Sequence, residues 1–165
     1  MPKIVILRPE QTFSYMRLKI PPGLVVLIFA GLMYLLDRFL PFGEFDFFGR
    51  EVLIWILAIA AVLVVIVAIR QFLKARTTIN PLFPGRAAVL VSGGIYAYSR
   101  NPMYLAMLML LLAWGLWLGN AFNTLVAALF VAYMNRFQIG PEEEVLSRTF
   151  GRQFQKYCTE VRRWF

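Results

Sequence analysis

Two short stretches hold residues whose types and spacing could do chemistry: SGGIYAYSRNPMYL at 92–105 and NRFQIGPEEE at 135–144. The first places Gly93 and Gly94, where backbone can approach a ligand closely, just before Tyr96, Tyr98, Arg100, Asn101, Pro102 and Tyr104. Together these supply a fixed cation, an amide that both donates and accepts, and aromatic rings with polar tips. The second stretch sets Arg136 and Gln138 ahead of Glu142, Glu143 and Glu144, whose carboxylates can grip a ribose diol or counter a cation. Each stretch also has a purely structural reading. Tyrosines with a snorkelling arginine make the aromatic belt of many membrane helices, and acids in a helix's first turn complement its dipole.

The residues that are missing narrow the chemistry further. The chain has no histidine, which excludes imidazole acid–base catalysis and histidine metal sites. It has one cysteine, Cys158, so no intrachain disulfide and no cysteine cluster for zinc can form, and no metal site is expected. The work must fall to Tyr, Arg, Asn, Gln and carboxylates, or to a bound cofactor.

The elements that position these residues are read from the apolar runs. Of 165 residues, 60% are hydrophobic and 16% charged, far from the average of a soluble domain. Residues 22–36, 52–69 and 101–135 carry no charge. A helix needs roughly 20 residues to cross the hydrocarbon layer, so the first two runs are single spans with their flanks included. The third is too long for one span and divides at Gly119-Asn120. The expected fold is therefore all-α: a polytopic membrane helix bundle of about four spans, forming one domain over 1–165. A cleaved signal peptide is a poor reading of the first run, because polar-leaning residues precede it and no small-residue cleavage site follows.

Four spans place 15 of the 17 Lys and Arg residues on one side, leaving Arg38 and Arg50 with the acidic outer connection. By the positive-inside rule both termini and the central loop are cytoplasmic. The formal net charge of +8 is then explained by topology and anionic headgroups, and no nucleic-acid partner is expected.

Residues 1–20 read as an interfacial lead-in. Pro81, Pro84, Gly85, Gly93 and Gly94 break regular structure between Thr77 and Ser99, predicting an ordered loop packed at the membrane face. Pro102 suits the first turn of the third span. Gly140 as N-cap, Pro141 at the first helical position and Glu142–Glu144 in the first turn predict a separate tail helix. Its apolar face (Val145, Leu146, Phe150, Phe154, Tyr157) and its basic face (Arg148, Arg152, Lys156) make it a C-terminal amphipathic helix on the cytoplasmic surface. The hairpin of spans three and four returns the chain to the face it left. Arg100–Tyr104 and Asn135–Glu143 are then expected to share a polar pocket that opens sideways into lipid.

At these residues the sequence resembles the bacterial relatives of isoprenylcysteine carboxyl methyltransferase, a family that also includes phospholipid N-methyltransferases. The resembling blocks are TTINP (77–81), SGGIYAYSRNPMYL (92–105), WGLWLGN (114–120) and NRFQIGPEEEVLSRTFGRQFQKYCTEVRRWF (135–165). The resemblance implies S-adenosylmethionine as cofactor, a cofactor-binding catalytic half over 77–165, and a two-span anchor over 1–70. It assigns the cofactor site to Tyr96, Arg100, Asn101, Pro102 and Tyr104, with Glu142 and Glu143. Arg136 and Gln138 are the candidate catalytic residues facing the acceptor, with Tyr98 a weaker candidate. Asn101 stands where the family has histidine, and Gln138 stands where its carboxyl methyltransferases have arginine.

The expectation is a methyltransferase of the bacterial inner membrane acting on a lipophilic acceptor. The acceptor atom is left open among carboxylate oxygen, amine nitrogen and thiol sulfur. The rival activity is phospholipid N-methylation; the rival class is a non-catalytic membrane partner whose polar face only meets headgroups.

Overall fold

The computed structural model describes residues 20–40, 43–75 and 89–165. All but the last residue of the expected lead-in at 1–20, and most of the 77–99 loop with its TTINP block, lie outside the described residues.

All regular elements among the described residues are helical. Helix α1 (Pro22–Phe39) begins on a proline, whose fixed φ and missing N–H suit a helix start. Helix α2 (Arg50–Ala75) runs 26 residues, about 39 Å at 1.5 Å per residue. Both are long and apolar enough to cross a membrane. Their large side chains do not fill a protein core: Leu27, Leu32 and Leu35 of α1 and Trp55, Ile56, Ile59 and Leu63 of α2 are exposed. Helices apolar on their outer faces belong against lipid. Helix α3 (Pro102–Leu118) is apolar but spans only 17 residues, and α4 (Asn123–Tyr133) only 11. Among the described residues two helices meet the length of a full span, and α3 and α4 are the two shorter helices into which the third apolar run divides.

Alanines Ala61 and Ala68 of α2 and Ala106 and Ala113 of α3 are buried, and small residues let these neighbouring helices run close together. The principal core is built by Val25 and Met33 of α1, Leu111 of α3, and Val126 and Phe130 of α4. At one end the α1–α2 and α3–α4 connections are tied to each other. The Phe45 N–H donates to the Gly119 carbonyl at 2.9 Å, and the Ala121 N–H donates to that of Gly43 at 2.9 Å. Gly119 ends α3 in the left-handed region (φ 76°), which a side chain rarely adopts. The opposite end, where α1 and α3 begin and α2 finishes, carries the site.

The tail departs from expectation. No separate helix is capped at Gly140. Instead α4 passes through a π-helical turn, Met134–Ile139, directly into α5 (Gly140–Phe150). Gly140 has helical angles, and its N–H reaches back five residues to the Asn135 carbonyl. The wider turn accommodates Pro141, whose ring in an ordinary α-helix clashes with the carbonyl four residues earlier. A Cβ on Gly140 would sit 3.1 Å from that Asn135 carbonyl, so the glycine allows the turn to stay tight. The expected single tail helix is also two: α5 ends at Gly151 (φ 52°), and α6 (Arg152–Glu160) follows. Phe154, Tyr157 and Val161 are buried against Leu146, Phe150 and Leu90, so this stretch packs on the protein itself.

Candidate functional site

A cavity of about 310 Å³ opens at this end of the helices, within the size range of small-molecule sites. The seven residues assigned to the cofactor from sequence, Tyr96, Arg100, Asn101, Pro102, Tyr104, Glu142 and Glu143, all line it. So do residues with no such assignment: Pro22 and Gly23 of α1, Phe72 of α2, and Leu146, Phe150, Phe154 and Tyr157 from α5 and α6. The cavity thus draws on both halves of the chain.

Its polar end is made where the first turns of α3 and α5 meet. The Tyr104 hydroxyl donates to Glu142 Oε1 at 2.7 Å. Its neighbour Glu143 is held by two guanidinium groups. Arg100 Nη2 lies 3.2 Å from Glu143 Oε1, while Arg163 donates from Nε and Nη2, the shortest contact being 2.6 Å. A fork of this kind fixes a carboxylate in orientation as well as position. Of the adjacent glutamates, Glu142 accepts from a neutral hydroxyl and Glu143 sits inside an ion-pair cluster. Arg100 Nε is buried without a protein partner, an orphaned donor beside the cavity.

The loop that brings Tyr96 and Arg100 here is anchored from α2. With its amide nitrogen turned toward the loop, Gln71 donates to the Gly93 carbonyl at 3.1 Å and accepts from the Ile95 N–H at 3.0 Å. Gly94 is required at this point, because its φ is 59° and a Cβ would overlap the Gln71 amide. The chain then makes a 3₁₀ turn over Gly94–Ala97. Tyr96 packs edge-on against Phe72, with centroids 5.3 Å apart, and its carbonyl accepts from the Tyr157 hydroxyl at 2.6 Å. Burial, with Tyr157 beside it, pushes the Tyr96 hydroxyl above its usual range. Burial also pushes Tyr157 up, opposed by Arg100 and assisted by Cys158. Both are neutral hydroxyls at neutral pH.

The remaining candidates lie elsewhere. Gln138 is buried outside the cavity, and its amide donates to the Ile20 carbonyl at 2.6 Å. Arg136 is exposed and does not line the cavity. Tyr98 is exposed, also away from the lining. Sequence reasoning missed Phe72 and Arg163: one looked like part of a featureless apolar span, the other like one more basic residue at the membrane surface.

The model of the phospholipid methyltransferase family matches residues 50–153, more than half of the chain. The chain belongs to that family. The match takes in α2, the anchored loop, α3, α4, α5 and the glutamate pair, and so covers most of the elements that build the cavity. Phospholipid methyltransferase family members transfer methyl groups, and the exposed apolar faces of α1 and α2 suit an enzyme of that family at a membrane. The chain is also 47% identical over 62 residues to an uncharacterized protein of Haemophilus influenzae, a stretch covering 38% of this chain and 98% of that protein. No solved structure matches the chain.

Proposed function

We propose that this protein is an S-adenosylmethionine-dependent methyltransferase whose acceptor is a lipophilic molecule reaching the cavity from the bilayer. The observation that carries the reading is the meeting of Tyr104, Glu142, Arg100 and Glu143 at the polar end of a cavity otherwise walled by aromatic and aliphatic side chains. The residues present fit the cofactor. Two carboxylates suit its cationic groups and ribose hydroxyls, the Arg100 Nε donor lacks a protein partner, and the Phe150, Phe154 and Tyr157 wall suits a flat aromatic base. Bound there, S-adenosylmethionine supplies an electrophilic methyl group together with its own leaving group, so histidine is not required. The chain's part is to align the acceptor and exclude water. In this reading the ends of the helices that carry the cavity face the cytoplasm, in a four-span arrangement within the bacterial inner membrane.

The two acceptor classes to be told apart are a lipid amine and an isoprenylcysteine-like carboxylate. Among the described lining residues Arg100 is the one cation, and it shares Glu143 with Arg163. The test is transfer of a radiolabelled methyl group from S-adenosylmethionine into a bacterial lipid extract, with Glu142→Gln as control. Label that enters lipid and resists mild alkali supports the amine. Alkali-labile label points to a methyl ester, and no incorporation into any lipid fraction contradicts the activity.

A further inference from the structure

The five residues after α6, Val161–Phe165, make no contact with the cavity volume, yet they hold its polar end together. The Arg163 side chain forks onto Glu143. Its backbone carbonyl accepts from the Asn101 amide at 3.1 Å and from Ser99 Oγ at 3.3 Å. The Arg162 carbonyl accepts the Arg100 N–H at 3.0 Å. Trp164 donates its indole N–H to Asn135 at 3.1 Å, in the π-helical turn, and packs on the principal core. One residue therefore touches the glutamate of α5 with its side chain and the start of α3 with its backbone.

We propose that Arg163 is a positioning residue: its guanidinium fork sets the orientation of Glu143, and through Glu143 that of Arg100, at the polar end of the cavity. This rests on the methyltransferase reading above. Arg100 contributes one nitrogen to Glu143 at 3.2 Å, which by itself leaves the carboxylate free to rotate. The two nitrogens of Arg163 remove that freedom. A lysine keeps the charge but offers a single point of contact, so charge and geometry can be separated by experiment. The bonds accepted by the carbonyls of Arg162 and Arg163 do not use the Arg163 side chain, and melting temperature reports whether the segment stays docked in each variant.

The test measures S-adenosylhomocysteine affinity by calorimetry for the full-length protein in lipid nanodiscs, alongside its melting temperature. The proteins compared are wild type, Arg163→Lys, Arg163→Gln, Glu143→Gln, Arg163→Lys/Glu143→Gln and Trp164→Phe. Loss of the fork should weaken binding about tenfold in Arg163→Lys, on the scale of one hydrogen bond to a charged group. The same change should cost less than about twofold once Glu143→Gln is present, because residues acting through one another are not additive. Trp164→Phe keeps the fork and should bind within about twofold of wild type. Arg163→Lys binding like wild type would overturn the proposal. So would a loss that multiplies in full with Glu143→Gln, or an equal loss in Trp164→Phe, which would show general docking of the segment. Wild-type protein that fails to bind would instead remove the methyltransferase reading, and this proposal with it.

Discussion

The Tyr104 hydroxyl donates to Glu142 at 2.7 Å, joining the first turn of α3 to the first turn of α5 across 38 positions of sequence. That bond closes the helical hairpin on itself at the end where the cavity lies.

Replacing Tyr104 with Phe removes that bond while keeping the ring in place. Binding of S-adenosylhomocysteine should weaken by about 1–3 kcal/mol, the cost of losing a hydrogen bond to a charged group. Calorimetry on the detergent-purified protein measures this. A non-catalytic partner protein would show no binding to lose.

Gly94→Ala should be more damaging than its size suggests. A side chain at φ 59° is strained by about 1–2 kcal/mol, and its Cβ would displace the Gln71 amide that holds the loop. A lower melting temperature together with weaker ligand binding is expected. Gly93→Ala is the control, since nothing lies within 4 Å of a Cβ there and its φ is −97°.

The long apolar helices and the two segments that meet at the cavity were legible in the sequence because their signals are local. Uncharged runs at 52–69 and 101–135 need only be long, and Gly119 breaks the second of them where α3 ends. Other features depend on contacts that composition does not carry. Gly140-Pro141 reads as a helix start by every local rule, but a π-helical turn absorbs the proline and the helix continues. Gln138 entered through the resemblance, as the position of the family's arginine, and its contact with the Ile20 carbonyl is one that composition does not carry. Arg163 was indistinguishable from the other basic residues near the membrane until its fork onto Glu143 appeared.

Alkaline pH should destabilise the protein through its buried tyrosines. Burial raises Tyr96 and Tyr157 above their ordinary value of 10.0, so above that pH the unfolded chain releases protons that the folded chain retains. Stability is then full below about pH 10 and falls as pH rises further. Thermal unfolding followed from pH 8 to 11 should show the decline. Tyr157→Phe should flatten it, while lowering stability at pH 8 by about 1 kcal/mol for the lost bond to the Tyr96 carbonyl.

The central claim, that this cavity holds S-adenosylmethionine on Glu142 and Tyr104, is tested most directly by titrating S-adenosylhomocysteine into the purified protein and its Glu142→Gln variant in lipid nanodiscs. Micromolar binding by the wild type that is lost in the variant, with both proteins folded, is the predicted result. Absence of binding by the wild type, or equal binding by both, would contradict it.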